Sequence, residues 1–336
     1  MVDTTPLPMP RRAALAIRVL LFACGSLCYA LLGILSQLSK EDDGTYGYSL
    51  PSVVLAAEAV KLLLSCCFLT AERGSLVGAC RGMVECSPWL WLAYTIPSVL
   101  YALNNNLDML NNLHMDPATE HVLVQGKILT TGLVWWLVFR EPLGLRKWLS
   151  LLVLFSGAVL AGMPSEALFS GSRQMHIDSV GCVLVTVHCW VSACAGVYNE
   201  WLLKVLGKDD SIHISNIRLY SIGCVVNLAA HILSDHGAGQ SLFAFKGYNR
   251  YVVALVVTYA SMGLLLSQVM KWFDNIVKLF ISGSSMYVSA LFAWTIFGYA
   301  PTVNFCIGVG LVTIAMLIFN LDKIRGAMQS TEKKET

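Results

Sequence analysis

Charge is scarce in this sequence: only 13% of its 336 residues are Asp, Glu, Lys or Arg, against roughly 25% in an ordinary soluble domain. The shortage removes the solvating surface that a soluble globular enzyme or a disordered chain depends on. An excess of one sign is missing too. The 23 Lys and Arg face 21 Asp and Glu, a formal net charge of +2, too little to draw a polyanion, so no nucleic-acid partner is expected. No cleavable leader is expected: Met1 to Arg12 is Pro-rich and runs into an apolar stretch without a small-residue cleavage site, which predicts a cytosolic tail. Paired cysteine spacing is lacking as well. Most of the 11 cysteines, among them Cys24, Cys28, Cys66, Cys67, Cys182, Cys189, Cys194, Cys224 and Cys306, lie inside apolar runs, where they read as small hydrophobes. Cys80 and Cys86 flank charged residues but have no second ligand pair for zinc. No metal site or cofactor is expected.

What the chain does have is apolar length: 56% hydrophobic residues and a mean hydropathy of +0.64. About 20 apolar residues span a bilayer, and a helix between lipid and protein is apolar nearly all round. Charge-free runs therefore mark the spans. Val19 to Ser39, Ser87 to Leu107, Trp148 to Ser165, Ser179 to Asn199 and Tyr251 to Met270 give one each, and Leu279 to Asn320 is long enough for two around the Gly298-Tyr299-Ala300-Pro301 turn. Pro51 to Thr70, Pro117 to Phe139 and Ile212 to Ser234 add three with embedded charge. The expected total is ten. Lys and Arg favour the cytosolic side; with a cytosolic N-terminus, 14 of them fall there and four (Lys40, Arg173, Lys246, Arg250) opposite, so both ends are expected to be cytosolic.

Asp116 opens a helix that carries Lys127 and ends at Arg140-Glu141-Pro142; Asp274 opens one that carries Lys278 and ends at Tyr299-Ala300-Pro301. The parallel suggests two repeats of five spans, and an odd unit makes the second copy enter the membrane inverted. The expected fold is an all-α membrane protein of ten transmembrane helices in two inverted five-helix repeats. Its expected organisation is a cytosolic tail 1–12, a first repeat 13–163, a luminal linker 164–177, a second repeat 178–320 and a cytosolic tail 321–336.

A Lys or Arg at the centre of a span costs about 3 kcal/mol and should face a partner or a wet cavity. Arg18 lies near a helix end and can snorkel. Glu58 and Lys61, three residues apart, suit a structural ion pair. Glu200 and Lys204, four apart near a span end, read as a solvated helix pair. Lys127 and Lys278 have no obvious acidic partner on their own helices, since Asp274 is expected to serve as an N-cap. Two such cations, one per half, could meet an anion, and phosphate suits a Lys point charge; interhelical pairing with Glu58 or Asp108 is the alternative. The third span carries Tyr101-Ala102-Leu103-Asn104-Asn105-Asn106, then Asp108, Asn111 and Asn112. An unmet amide in a membrane costs about 2 kcal/mol or more, so these amides point to a polar ligand such as a pyrimidine edge, or to helix–helix hydrogen bonds. His188 and His231 sit singly in apolar runs and read as packed or hydrogen-bonded, not catalytic.

Several runs together resemble the nucleotide-sugar transporter family, in the branch of the CMP-sialic acid, UDP-galactose and UDP-N-acetylglucosamine transporters. They are Tyr101-Ala102-Leu103-Asn104-Asn105-Asn106-Leu107, Met115 to Thr119 continuing through Lys127 to Thr131, Ala195 to Glu200, Ser215-Asn216-Ile217-Arg218-Leu219-Tyr220, Lys246 to Arg250 and Lys271 to Lys278. The resemblance implies a ten-helix drug/metabolite-transporter fold in the Golgi or endoplasmic reticulum, exchanging a cytosolic nucleotide sugar for a luminal nucleoside monophosphate. It implies that Lys127 and Lys278 face phosphate and sugar, and that Asn105, Asn106, Asn216 and Tyr220 line a nucleotide pocket, with Tyr101, Arg218 and Asn275 as further candidates in the same motifs. Two departures stand out. Thr119-Glu120-His121 replaces the usual Thr-Tyr-Gln, and Arg218 stands where Gln is usual; the added cation suits a diphosphate better than a monophosphate.

The leading expectation is a UDP-sugar/UMP antiporter of the UDP-galactose or UDP-N-acetylglucosamine class working by alternating access. CMP-sialic acid/CMP exchange is the alternative, and a non-transporting scaffold of the same fold or a polytopic membrane enzyme are readings of another class. The clustered acids or Ser/His constellation an enzyme would need are not evident. Partners are then the nucleotide sugar, the nucleoside monophosphate and the lipid bilayer, and a homodimer is compatible. Lys333-Lys334-Glu335-Thr336 resembles a dilysine retrieval signal, read by a coat-protein receptor.

Overall fold

The computed structural model describes residues 11–41, 46–75, 77–78, 88–115, 117–163, 179–235, 247–298 and 301–335. Cys80, Cys86 and the linker 164–177 lie outside the described residues, as do the side chains of Arg18, Asn105, Asn106, Asp108, Lys333 and Lys334. The described chain is helical: α1 (Arg11–Leu38), α2 (Leu50–Arg73), α3 (Pro88–His114), α4 (Pro117–Val124), α5 (Lys127–Phe139), α6 (Leu145–Gly162), α7 (Ser179–Trp201), α8 (Ile212–Asp235), α9 (Arg250–Trp272), α10 (Asn275–Phe297) and α11 (Val303–Glu335). Local chemistry sets several ends. Pro51 opens α2, where a missing N–H costs nothing, and Gly74 closes it in the left-handed region at φ 69°. The Asn249 side chain caps α9, accepting from the Tyr251 and Val252 amides at 2.9 and 3.0 Å. Asp274 Oδ1 accepts from the Val277 amide at 2.7 Å and so caps α10.

Among the described residues, eight segments are long and apolar enough to cross a bilayer: Val19–Leu38, Pro51–Arg73, Val122–Phe139, Leu145–Gly162, Ser179–Leu206, Arg250–Trp272, Asn275–Ile296 and Val303–Leu321. Helices α3 and α8 have 27 and 24 residues, about 40 and 36 Å at 1.5 Å per residue, and carry polar residues such as Asn111, Asn216 and Arg218 among apolar ones. Polarity runs inside out. Leu27, Leu63, Leu149, Val183, Val253, Leu291 and Leu317 face outward, while Ser98, Asn111, His188, Glu200 and Arg218 are buried. That is the arrangement lipid selects.

The most extensive contacts join α6 to α11, α2 to α8, α3 to α7, α1 to α9, α1 to α10, α5 to α7, α3 to α8 and α2 to α9. Helices α6 and α11 approach closely because Gly157 faces Gly308: a Cβ on Gly157 would lie 2.8 Å from the Gly308 carbonyl oxygen.

The helix expected to run unbroken from Asp116 through Lys127 is instead interrupted. At Gln125 and Gly126 the bonding tightens to three-residue spacing, with the Ile128 amide donating to the Gln125 carbonyl at 2.9 Å and the Leu129 amide to Gly126 at 3.0 Å. Gly126 permits the break because a Cβ there would lie 3.1 Å from the Leu123 carbonyl oxygen and 3.3 Å from Cys189 Sγ of α7. Lys127 therefore begins α5. A second irregularity follows α7, where Leu202–Leu206 forms a π-turn and the Gly207 amide reaches the Leu202 carbonyl at 2.7 Å.

Candidate functional site

A cavity of about 250 Å³ opens between α2, α3, α7, α8, α9 and α10. Glu58 and Lys61 enter it from α2, Tyr101 from α3, Asn199 from α7, Tyr220 and Asn227 from α8, Tyr259 and Ser267 from α9, and Lys278 from α10. Lys61 Nζ donates to Glu58 Oε1 and sits 4.7 Å from the centroid of the Tyr220 ring, a cation–π contact in a site shielded from solvent. Two glycines make room for the pair: a Cβ on Gly263 would lie 2.5 Å from Lys61 Cδ, and one on Gly223 would lie 2.9 Å from Glu58 Oε2. The Tyr220 hydroxyl is held by Ser267 Oγ at 3.1 Å, and Ser267 donates to the Gly263 carbonyl at 3.1 Å. The ring thus presents a fixed face.

Lys127 does not line this cavity. It lines a neighbouring one of about 280 Å³ between α5, α6, α10 and α11, with Gln125, Ile128, Leu154, Ser282, Ser285, Met286, Ser289 and Phe305. Lys127 and Lys278 are close enough for their charges to act on each other. The two cations expected at one anion thus stand in adjoining spaces along α10.

Three other candidates lie away from the lining of either cavity. Asn216 is buried one turn before Tyr220 on α8. Asn275 is buried in the first turn of α10 against Gly196 of α7, where an added Cβ would lie 2.5 Å from its Nδ2. Arg218 is fully buried at 0% exposure and donates from Nη1 to Asp210 Oδ2 at 2.6 Å. It belongs to a clasp at the α7–α8 turn. Lys271 Nζ of α9 donates to the Asp210 carbonyl at 2.7 Å, and Ser211 Oγ donates to Glu72 Oε2 of α2 at 2.5 Å.

Glu200 corrects an expectation. Rather than a solvated partner of Lys204, its side chain is 0% exposed. Oε1 accepts from Lys204 Nζ at 2.6 Å and from Trp135 Nε1 of α5 at 3.3 Å, and Oε2 accepts from the Asn275 amide at 2.8 Å. One carboxylate ties α5, α7 and the N-terminus of α10 together, where the helix dipole also favours negative charge. Asn111 resolves the other way: its Nδ2 meets His188 Nδ1 at 3.0 Å, a buried hydrogen bond between α3 and α7.

Sequence reasoning overlooked Asn199, Asn227, Tyr259, Ser267 and Gln125. Asn199 stood within the Ala195 to Glu200 run and could have been chosen there. Tyr259 lies in a charge-free run with no local signal; it stays 41% exposed, and only the packing of α9 brings it to the edge of the cavity.

A model of the nucleotide-sugar transporter family matches residues 14–320. The chain belongs to the nucleotide-sugar transporter family. Within that family it is 34% identical over 279 residues to the probable UDP-sugar transporter protein SLC35A4 of Danio rerio, covering 81% of this chain and 84% of the relative. It is 30% identical over 301 residues to CMP-sialic acid transporter 1 of Oryza sativa subsp. japonica, covering 85% and 89%. One solved crystal structure superposes with a TM-score of 0.66 at 13% identity, over 91% of this chain and 97% of the other, a likeness of fold alone. Membership of this family places the chain with membrane transporters, not with enzymes.

Proposed function

We propose that this transporter exchanges a cytosolic UDP-sugar, of the UDP-galactose or UDP-N-acetylglucosamine class, for luminal UMP by alternating access in the Golgi or endoplasmic reticulum membrane. The observation that carries the reading is the pair Lys278 and Lys127, half-buried cations of α10 and α5 facing adjoining cavities inside an apolar bundle. A nucleotide diphosphate brings about two negative charges into a low-dielectric centre, where unpaired charge is expensive, and two lysines offset them. Tyr101, Tyr220 and Tyr259 offer ring faces to a base, and the family resemblance adds Asn105 and Asn106 as candidates for its polar edge. An empty carrier leaves two neighbouring cations without an anion and reorients slowly, which favours exchange over leak.

The proposed architecture is ten spans in two inverted repeats, 13–163 and 178–320, joined by a luminal linker and flanked by cytosolic tails. Helix packing supports it. If α4 with α5 counts as one span and each span is exchanged for the one five places on, the α3–α7 contact maps onto α9–α1, α5–α7 onto α10–α1, and α3–α8 onto α9–α2, while α6–α11 and α2–α8 map onto themselves. Both breaks in regular α-helix, at Gln125–Gly126 and at Leu202–Leu206, lie beside cavity residues, as in transporters with discontinuous helices.

The likeness to CMP-sialic acid transporter 1 supports a second reading, CMP-sialic acid/CMP exchange. Counterflow decides between them. Proteoliposomes loaded with UMP or CMP are offered a panel of radiolabelled nucleotide sugars; uptake of a UDP-sugar driven by UMP and not by CMP is the expected result. CMP-driven uptake of CMP-sialic acid replaces the first reading with the second, and no uptake of any substrate leaves a scaffold of the same fold.

A further inference from the structure

Glu200 lies outside the lining of both cavities, yet its carboxylate joins the helices that carry the two lysines. Through Trp135 it holds α5, through the Asn275 amide it holds α10, and Lys204, one turn on from Glu200, offsets its charge. These partners differ in where they belong. The Lys204 ammonium also lies 5.9 Å from the centroid of the Phe139 ring of α5, and Phe139 packs on Trp135 with ring centroids 5.2 Å apart. Lys204, Phe139 and Trp135 thus form one unit with the carboxylate on the α5–α7 side, and of its three partners the Asn275 amide alone comes from α10. Releasing that one bond leaves the carboxylate neutralised by Lys204, so no uncompensated buried charge results.

Helix α10 is held unequally along its length. It packs extensively against α1 but lightly against α5, α6 and α7. The contact with α1 is close and falls beyond the first turn: a Cβ on Gly25 would lie 2.8 Å from Ile281 Cγ2, and Ser26 Oγ donates to the Ile281 carbonyl at 3.3 Å. Asn275 and Ile281 are six residues apart, about 9 Å at 1.5 Å per residue, and Lys278 stands midway. Movement of the first turn about the α1 contact therefore moves Lys278. The held position is also imperfectly satisfied, because Asn275 Oδ1 is buried with no hydrogen-bond partner among the described residues, a cost that outward movement relieves. On the other side of the bond, the π-turn Leu202–Leu206 begins two residues after Glu200, and such turns are frequent at functional sites.

We propose that Glu200 is a latch at the end of the bundle that the orientation above makes cytosolic: its bond to the Asn275 amide holds the first turn of α10 against α7 and closes that end, and its release lets α10 swing and opens the way to Lys278. Glu200 is thereby a positioning residue, acting through α10 without touching the substrate. The proposal rests on the exchange reading above and adds the place where the cycle is gated. A bond made in one access state and broken in the other sets the balance between the two. Loss of the latch therefore leaves the carrier resting open to the cytosol and slows its return, while binding at the open face is kept.

Asn275→Pro tests the bond itself. Asn275 is the first residue of α10, a position that proline favours because its fixed φ suits a helix start, so the substitution removes the N–H that Glu200 accepts and leaves the Trp135 and Lys204 bonds in place. Asn275→Ala, which loses the same side chain and keeps the N–H, is the reference. In proteoliposomes loaded with UMP or CMP, Asn275→Pro is expected to exchange nucleotide at least tenfold more slowly than Asn275→Ala, with KM not raised and with melting temperatures within a few degrees of each other. A second variant, Glu200→Gln with Lys204→Met, is neutral at both positions, and its amide NH2 meets one of the Trp135 and Asn275 donors in place of an oxygen. Hydrogen–deuterium exchange of residues 276–281 in the detergent-solubilised variant is expected to be at least tenfold faster than in wild type, with α6 and α11 unchanged. Equal exchange rates of Asn275→Pro and Asn275→Ala overturn the latch. A raised KM at an unchanged maximal rate also overturns it, since the bond would then serve binding, and so does unaltered deuterium exchange of residues 276–281. Wild-type protein that exchanges neither UMP nor CMP overturns the exchange reading instead, and the hold of Glu200 on α10 then stands or falls on the deuterium readout.

Discussion

Lys278 and Arg218 are both cations inside an apolar bundle, yet they are handled in opposite ways. Arg218 is sealed at 0% exposure against the carboxylate of Asp210, in a clasp that also engages Lys271, Ser211 and Glu72. Lys278 faces a cavity, with another cation, Lys127, as its electrostatic neighbour. A buried charge with its partner in place is part of the scaffold; one held beside a like charge in an open space is placed as the proposed exchange of an anionic substrate requires. Glu58 and Lys61 stand between the two cases, paired with each other but at 16% and 12% exposure in the cavity wall. The comparison teaches that surroundings, not the presence of charge in a span, separate binding residues from structural ones.

The largest effect that can break the comparison is on Lys278 and Lys127. Lys278→Ala and Lys127→Ala are each expected to reduce counterflow exchange more than 100-fold while the detergent-solubilised protein melts within a few degrees of wild type. Normal exchange by Lys278→Ala would make this lysine structural and move the site. Arg218→Ala tests the other side. Breaking a buried pair by removing one partner costs about 3–5 kcal/mol, so a fall in melting temperature and in yield of folded protein is expected; an unchanged melting curve would dissolve the distinction. Asn106→Ala is expected to raise the KM for UMP and for UDP-sugar by a similar severalfold factor, because the base is common to both. A shift for UDP-sugar alone would place this amide at the sugar. Smallest is Tyr220→Phe, which removes the hydroxyl contact to Ser267 but keeps the ring beneath Lys61. About 1 kcal/mol of stability, as for a typical hydrogen bond, and a change in KM below fivefold are expected, measured by thermal melting and counterflow on one preparation.

These contrasts also mark how far the residues could be read in order. Asp274 as a cap and Glu58 with Lys61 as neighbours follow from spacing alone, because caps and pairs three or four residues apart are local geometry. Glu200 was misread for the complementary reason. Its partners Trp135 and Asn275 are 65 and 75 residues away, and no pattern near Glu200 announces them. Asn111 met His188 across 77 residues in the same way. Arg218 was legible as a departure from the family pattern, but its burial against Asp210 depends on how the α7–α8 turn folds back. The unbroken helix expected through Lys127 failed because Gly126 is tolerated in many helices, and only the approach of Cys189 makes the break useful.

By itself the sequence determined that the chain lives in a membrane, since scarce charge and long apolar runs leave no other solvent for its surface. It determined membership in the nucleotide-sugar transporter family through short runs whose order along the chain is specific. Tertiary structure alone decided that Lys127 and Lys278 face separate but adjoining cavities, that Tyr259 and Asn227 join the first and Gln125 the second, and that Arg218 is locked in a clasp. The physical reason is range. Transfer into lipid acts on each residue independently and is written in composition, whereas a cavity exists only where side chains from distant helices fail to fill the space between them.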